Sequence, residues 1–155
     1  MSISKEKTTF LAGRDIIAVW ESQIDSARDS LLVVTFKLSS QKALDALIAA
    51  KHRGLKIRLI LDGNEAASKN SLAKRAEEEG IQILLWPSAR LGELHAKFTI
   101  IDGTGLITGS FNLSRAADES NTESAIFTSD PDAVEAAAKE FQRLAAQCFR
   151  LKPEK

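Results

Sequence analysis

The stretch LLVVTFKLSSQKALDALIAAKHRGLKIRLILDG, residues 31–63, decides the architecture. LLVVTFKL is a β-branched, apolar run of the kind that fills a buried strand. The next segment offers a Ser cap, then Ala43, Leu44, Leu47, Ile48 and Ala50 at helical spacing. Lys51, His52 and Arg53 follow in the last turn, where positive charge suits the helix dipole, and Gly54 stops the helix. LKIRLILDG is a second apolar strand. Strand, helix, strand over this length is a parallel β-α-β unit.

Working outward, Ile16, Ile17, Trp20, Ile24 and Ala27 fall near helical spacing in RDIIAVWESQIDSARDS, which predicts a helix ahead of the first strand. NEAASKNSLAKRAEEEG reads as a polar loop entering a short helix from Ser71 and ending at Gly80, and IQILLWP as a third strand closed by Pro87. The pattern then changes. KFTIID and LITGSF flank Gly103, Thr104 and Gly105, which predicts an antiparallel hairpin. ESAIFTS is a further strand, and a helix is expected from about Pro131 to Phe149, with Asp132 and Glu135 in its first turn. The expectation is an α/β fold: a mixed β-sheet flanked by helices on both faces, in a single domain spanning 1–155.

Composition narrows the function classes only a little. The 155 residues are 44% hydrophobic and 27% charged, enough to bury a sizeable core. Lys plus Arg equals Asp plus Glu at 21 each, so net charge points to neither nucleic acid nor membrane. Cys148 is the only cysteine, which excludes a disulfide within the chain and any cysteine cage built from one chain. Its apolar neighbours make it a packed thiol rather than a reactive one. MSISKEKTTFLAGRDIIAVW carries no positive segment followed by a long apolar run, and nothing later approaches the roughly 20 apolar residues of a membrane span. The expected location is cytoplasmic as the sequence stands, or periplasmic or secreted if a leader has been removed.

The chemistry concentrates in HAKFTIIDGTGLITGSFNLS, residues 95–114. Along a strand side chains alternate faces, so His95, Lys97, Thr99 and Ile101 are expected on one side, with Ala96, Phe98, Ile100 and Asp102 on the other. Ser110 and Asn112 stand in the same two-residue relation on the returning segment, and Gly109 before them would let the backbone approach a ligand closely. An imidazole, an ammonium, a hydroxyl and a carboxamide on one face suit a phosphoryl group: Lys97 supplies charge, Ser110 and Asn112 directed donors, and His95 a nucleophile or proton carrier. Asp102 points away by parity. It is expected to be structural, accepting hydrogen bonds from backbone N–H groups of the turn at Gly103 to Gly105.

The spacing H-x-K-x4-D-x6-G-S-x-N, filled by His95, Lys97, Asp102, Gly109, Ser110 and Asn112 and followed by Asn121-x-Glu123, resembles the HKD signature of the phospholipase D superfamily. More loosely, the chain from about Ile24 to Phe149 is similar to the small Nuc-type bacterial endonucleases of that superfamily, although such enzymes often carry a leader. The resemblance implies a phospholipase D-like fold and a metal-independent, cofactor-free phosphodiesterase, a hydrolase and endonuclease acting on DNA or RNA. It implies a phosphohistidine formed on one histidine, with a histidine from a second HKD motif protonating the leaving oxygen and then activating water.

Only one HKD motif is present, and His52 lacks such surroundings, so a homodimer is expected to bring His95 of each subunit together. Two adjacent imidazoles beside Lys97 ammonium groups resist being charged together, which separates their roles. Glu123 is the candidate to accept a ring N–H of a His95, and Asn121, on the same strand face, to support the site through its amide. Glu123 read as a solvated strand residue and Ser110 as a turn cap are the plain alternatives. Arg90 and Lys69 are either loop contacts to substrate phosphates or ordinary solvated cations. Trp86 belongs to the core rather than to a base-stacking platform. Two other functions stay open: a lipid phosphodiesterase, against which no interfacial amphipathic helix or stable membrane association is evident, and a non-catalytic nucleic-acid or membrane-associated binding module.

Overall fold

The structure, a computed structural model, describes residues 7–13 and 15–151; of the expected span 1–155, residues 1–6, 14 and 152–155 lie outside the described residues, as does the Arg14 start expected for the first helix. The elements run β1 (Thr8–Gly13), α1 (Ile16–Ser26), β2 (Ser30–Thr35), α2 (Gln41–His52), β3 (Lys56–Asp62), α3 (Gly63–Ala66), α4 (Ala73–Glu78), β4 (Gln82–Trp86), α5 (Ser88–Leu91), β5 (Phe98–Ile101), β6 (Gly105–Gly109), α6 (Arg115–Glu119), β7 (Glu123–Thr128), α7 (Pro131–Ala145) and β8 (Phe149–Arg150).

Among the described residues the strands form one eight-stranded sheet in the order β1-β7-β6-β5-β2-β3-β4-β8. β2, β3 and β4 are parallel neighbours, as the β-α-β reading requires, while β5 runs antiparallel beside β2 with Val34 opposite Phe98. The hairpin turns through Asp102 and Gly103, whose φ angles of 54° and 67° are the left-handed values a tight primed turn needs. Glycine adopts that conformation freely, and Asp is among the few other residue types that visit it.

Each face of the sheet has its own core. On one, Ile17, Trp20 and Ile24 of α1 and Leu44 and Leu47 of α2 pack against Leu31, Val33, Leu59, Leu61 and Ile83, with Ala73 and Ala76 of α4 and Ala117 of α6 joining them. Trp20 is 1% exposed, and its indole N–H donates to Thr99 Oγ1 at 3.0 Å, tying α1 to β5. On the other face, among the described residues, α7 supplies the helical cover: Phe141 and Leu144 pack on Val34, Ile60, Leu84 and Trp86, and Val134 on Ile100 and Leu106. The sheet is therefore mixed and covered by helices on both faces.

The differences from the sequence reading sit at the margins. β1 and β8 were not anticipated; both are edge strands, and β8 has only two residues. α7 stops at Ala145, short of Phe149, because the chain leaves it to pair Phe149 and Arg150 with Leu85 and Leu84 of β4. The loop after β3 contains the single turn α3, and α4 starts at Ala73, whose N–H is received by Ser71 Oγ. Cys148 packs against the α7 core and donates to Leu144 O. Burial pushes its thiol up to about 11, so it is protonated at neutral pH. No helix among the described residues is long and apolar enough to cross a membrane.

Candidate active site

The site lies at the end of the sheet where β2, β3 and β4 finish and β5 begins, the end at which open α/β sheets bind ligands. His95 is not on a strand. It sits in the irregular segment between α5 and β5, and that segment is held by a buried carboxylate. Asp62, 1% exposed at the end of β3, accepts from Leu94 N at 3.0 Å through one oxygen, and from Asn64 N and Glu65 N at 2.9 and 3.2 Å through the other. Leu94 is itself buried, so the residue before His95 is pinned on both its backbone and its side chain. The His95 imidazole is exposed and leans against Phe36, which follows β2, with ring centroids 5.7 Å apart.

Lys97 also precedes β5. Its ammonium donates to His95 O at 2.7 Å and lies 3.4 Å from His95 Nδ1. Burial holds it below the usual lysine range, with the negative charge of Glu123 acting in the opposite direction. The ammonium is thus close to the imidazole and bonded to the backbone of His95.

Strand alternation does not place Ser110 and Asn112. β6 ends at Gly109, and pairing of Thr99 with Ile107 makes Gly109, not Ser110, the position that continues opposite Lys97. Ser110 turns instead to β7: its hydroxyl donates to Glu123 Oε2, and it accepts from Ser124 N at 3.2 Å. The single hydroxyl proton is thereby taken by the carboxylate. Asn112 lies nearer β2, where its Oδ1 faces Thr35 Oγ1 at 3.4 Å. With the oxygen so directed, the amide N–H₂ is the group left to meet a ligand.

Glu123 opens β7, and its second oxygen accepts from Asn121 Nδ2 at 3.1 Å. Asn121 precedes the strand rather than sharing its face, yet the bond joins it to the cluster. In this chain Glu123 bonds Ser110 and Asn121, not the His95 ring. Asn112 and Asn121 line one depression of about 420 Å³ together with Lys37, Asn70 and Arg115.

Two expected roles change partners. Asp102 does not hold its own turn: it accepts from the backbone N–H groups of Arg28, Asp29 and Ser30, at 2.7–3.1 Å. Burial pushes its carboxyl up, but the bonds from Asp29, Arg28 and Ser30 outweigh this and hold it below the usual carboxylate range. Gly109 serves the sheet rather than a ligand, because a Cβ there would collide with Ser124 O and the backbone of Ala125 on β7. Trp86 is buried, with its indole N–H on Gly92 O. His52 ends α2 with Nε2 3.8 Å from Glu79, and Arg90 lies in the single turn α5. Among the described residues no group of three or more His, Cys, Asp or Glu side chains could hold a metal ion.

Three residues of the site escaped sequence reading: Asp62, which positions the segment before His95; Phe36, on which its ring rests; and Thr35, which orients Asn112. Each sits at or just past the end of a parallel strand, and that position was the available signal.

Comparison with known proteins places the chain in a family. The family model described as cardiolipin synthase, PLD-like domain, matches residues 21–145. A phospholipase D of Rickettsia conorii is 33% identical over 135 residues, covering 87% of this chain and 66% of that protein. A mitochondrial cardiolipin hydrolase of Xenopus laevis is 34% identical over 122 residues, covering 79% of this chain and 57% of that protein. The chain therefore spans two thirds or less of the length of these relatives. The crystal structure of Nuc, a phospholipase D family member from Salmonella typhimurium, superposes with a TM-score of 0.88 over 96% of this chain and 99% of that one, at 24% identity. That likeness is one of fold.

Proposed function

The chain belongs to the family of phospholipase D-like (PLD-like) domains, and from that premise we propose that it is a phosphodiesterase that cleaves nucleic-acid strands in a site completed by a second copy of itself. One observation carries the reading: a single exposed imidazole stands beside a lysine, while the other histidine of the chain is at the far end of the molecule. α2 has 12 residues and so runs about 18 Å from the site end of the sheet to His52. His52 cannot reach the same phosphate, so the second imidazole that the chemistry needs comes from His95 of the partner subunit, across a two-fold axis.

The steps then balance. The His95 Nε2 lone pair of one subunit attacks phosphorus, a P–N bond forms, and the P–O bond to the leaving alcohol breaks as the protonated His95 of the partner subunit gives its proton to that oxygen. The partner's imidazole, now neutral, takes a proton from water. The resulting hydroxide attacks phosphorus, and the P–N bond breaks to restore His95. Lys97 neutralises the non-bridging oxygens, and the Asn112 amide donates to them. Before substrate arrives, Lys97 lies beside Nδ1, which favours the Nε2–H tautomer. An incoming phosphate draws the ammonium away and lets Nδ1 take the proton, which frees Nε2 for attack.

The nucleic-acid substrate is supported by the depression at Asn112 and Asn121, lined by amides, hydroxyls and charged groups with Ala116 its sole apolar member. A second reading, a phospholipid diester, is favoured by the names of the two relatives, a phospholipase D and a cardiolipin hydrolase. The test supplies bis(p-nitrophenyl) phosphate, a single-stranded oligonucleotide and cardiolipin vesicles, each with EDTA. The reading expects the diester and the oligonucleotide to be cleaved, and both reactions to vanish in His95→Ala. Turnover of lipid alone moves the protein to the second reading, and loss of all turnover with EDTA removes the metal-free mechanism.

A further inference from the structure

Next to the depression at Asn112 lies another of about 360 Å³, and the two share Ser39, Asn70, Arg115 and Glu119 as a common wall. Together they make a trough that leads from the site across the starts of α2, α4 and α6. Four cations line it, Lys37, Lys42, Lys69 and Arg115, against two carboxylates, Asp118 and Glu119.

The walls are tied to one another. Leu72 N donates to Leu38 O at 2.9 Å, Ser39 N and Ser40 N to Leu113 O at 2.9 and 3.0 Å, and Arg115 N to Ser39 Oγ at 3.2 Å. Ser39 is 6% exposed, so the meeting point of the two depressions is a fixed part of the fold. The cations above it are held far less firmly. Lys42 is 3.4 Å from Asp118, Arg115 is 3.8 Å from Glu119 and Lys37 is 3.9 Å from Glu65, all at exposed or half-exposed side chains where an ion pair contributes about 0–1 kcal/mol. Lys69 makes no ion pair or hydrogen bond with any described residue. Cations so loosely engaged can turn to a phosphate.

We propose that this trough is a second phosphate-binding subsite, which holds the backbone of a single-stranded nucleic acid next to the phosphate being cleaved, with Lys69, Lys42 and Arg115 as its cationic contacts. The inference rests on the function proposed above, which puts the scissile phosphate at Lys97 and Asn112. A strand with phosphates at regular spacing fits a polar trough that continues the site; an acyl chain does not, since the lining offers only Leu72 and Ala116 as apolar groups. Amides at Asn70 and Gln41 add donors to phosphate or base without reading sequence.

The test measures binding, so it does not depend on turnover. A fluorescein-labelled single-stranded 10-mer is titrated with the full chain carrying His95→Ala, in EDTA and at several salt concentrations, and compared with the same chain also carrying Lys69→Ala and Arg115→Ala. Each lost phosphate contact on single-stranded DNA lowers the slope of log K against log salt by about 0.7, so the two substitutions are expected to lower it by about 1.4. Lys69→Glu alone, at an exposed loop position, should weaken binding further than Lys69→Ala. An unchanged affinity and slope overturns the subsite, and so does binding of cardiolipin vesicles without binding of the oligonucleotide. An unmoved slope, where the chain with its natural His95 cleaves the oligonucleotide, sinks the subsite alone. A lowered slope, where the chain with its natural His95 cleaves no diester, supports the subsite and sinks the proposed chemistry alone.

Discussion

At the end of the sheet where β2 starts, Asp102 and Arg53 are spent on holding backbone. Asp102 takes three backbone N–H groups, Arg53 donates to Ile24 O at 2.8 Å and Ala27 O at 3.3 Å, and His52 lies 3.8 Å from Glu79. At the opposite end polar side chains are left with capacity. The His95 imidazole is exposed, the Lys97 ammonium donates only to the neighbouring His95 among the described residues, and Lys69 has no described partner. One end uses aspartate and arginine to fix the chain at the ends of α1 and α2. The other holds a histidine, lysines and asparagines on a rigid frame and leaves part of their hydrogen-bonding capacity unused. Residue type does not separate function from structure here; unused hydrogen-bonding capacity on a fixed backbone does.

The largest expected effect breaks the comparison if it fails. His95→Ala should lower diester turnover by at least about 10³-fold, whereas His52→Ala should stay within about twofold, as measured with bis(p-nitrophenyl) phosphate. Comparable losses from both would mean that the two ends are not functionally distinct.

At the structural end, Asp102→Ala leaves the N–H groups of Arg28, Asp29 and Ser30 without their acceptor, and should cost about 2 kcal/mol in urea unfolding at pH 7. Because the folded carboxyl titrates below its usual value, its contribution is present above the unfolded value of about 3.9 and is lost as pH falls through the folded one. The gap between the natural chain and the variant should therefore narrow in acid. A gap that is constant from pH 7 to below pH 3 would mean that the charge of Asp102 plays no part.

The smallest effect concerns Cys148. With its thiol pushed up to about 11, it should react with a disulfide reagent at pH 8 far more slowly than a free thiol does, and at the free rate once urea unfolds the chain. Fast reaction in the folded state would contradict its packing against the α7 core.

The parallel strands, α1, α2, the hairpin and β7 were legible because each carries a strong local pattern: periodic apolar residues, a Ser cap at α2, or glycines at a turn. β1 and β8 carry none. TTFLAG exposes alternate residues at an edge, and Phe149–Arg150 is a strand only because β4 lies beside it. In the site, His95 and Lys97 were legible as residue types at a spacing. The geometry inferred from strand alternation was not, since regular pairing stops at Phe98 and Gly109, one to three positions short of the residues that matter. Asp62 is 32 positions from the Leu94 that it holds, and Thr35 is 77 from Asn112. Contacts of that kind leave no local pattern, which is why these positioning residues emerged only with the fold.

Mixing subunits tests the composite site most directly. Natural chain and His95→Ala chain are unfolded together in equal amounts, refolded, and assayed for diester cleavage per natural subunit. If each site needs both imidazoles, random pairing leaves only about half of the natural subunits in active pairs, and activity per natural subunit falls to about half. Activity per natural subunit that stays undiminished would contradict the account.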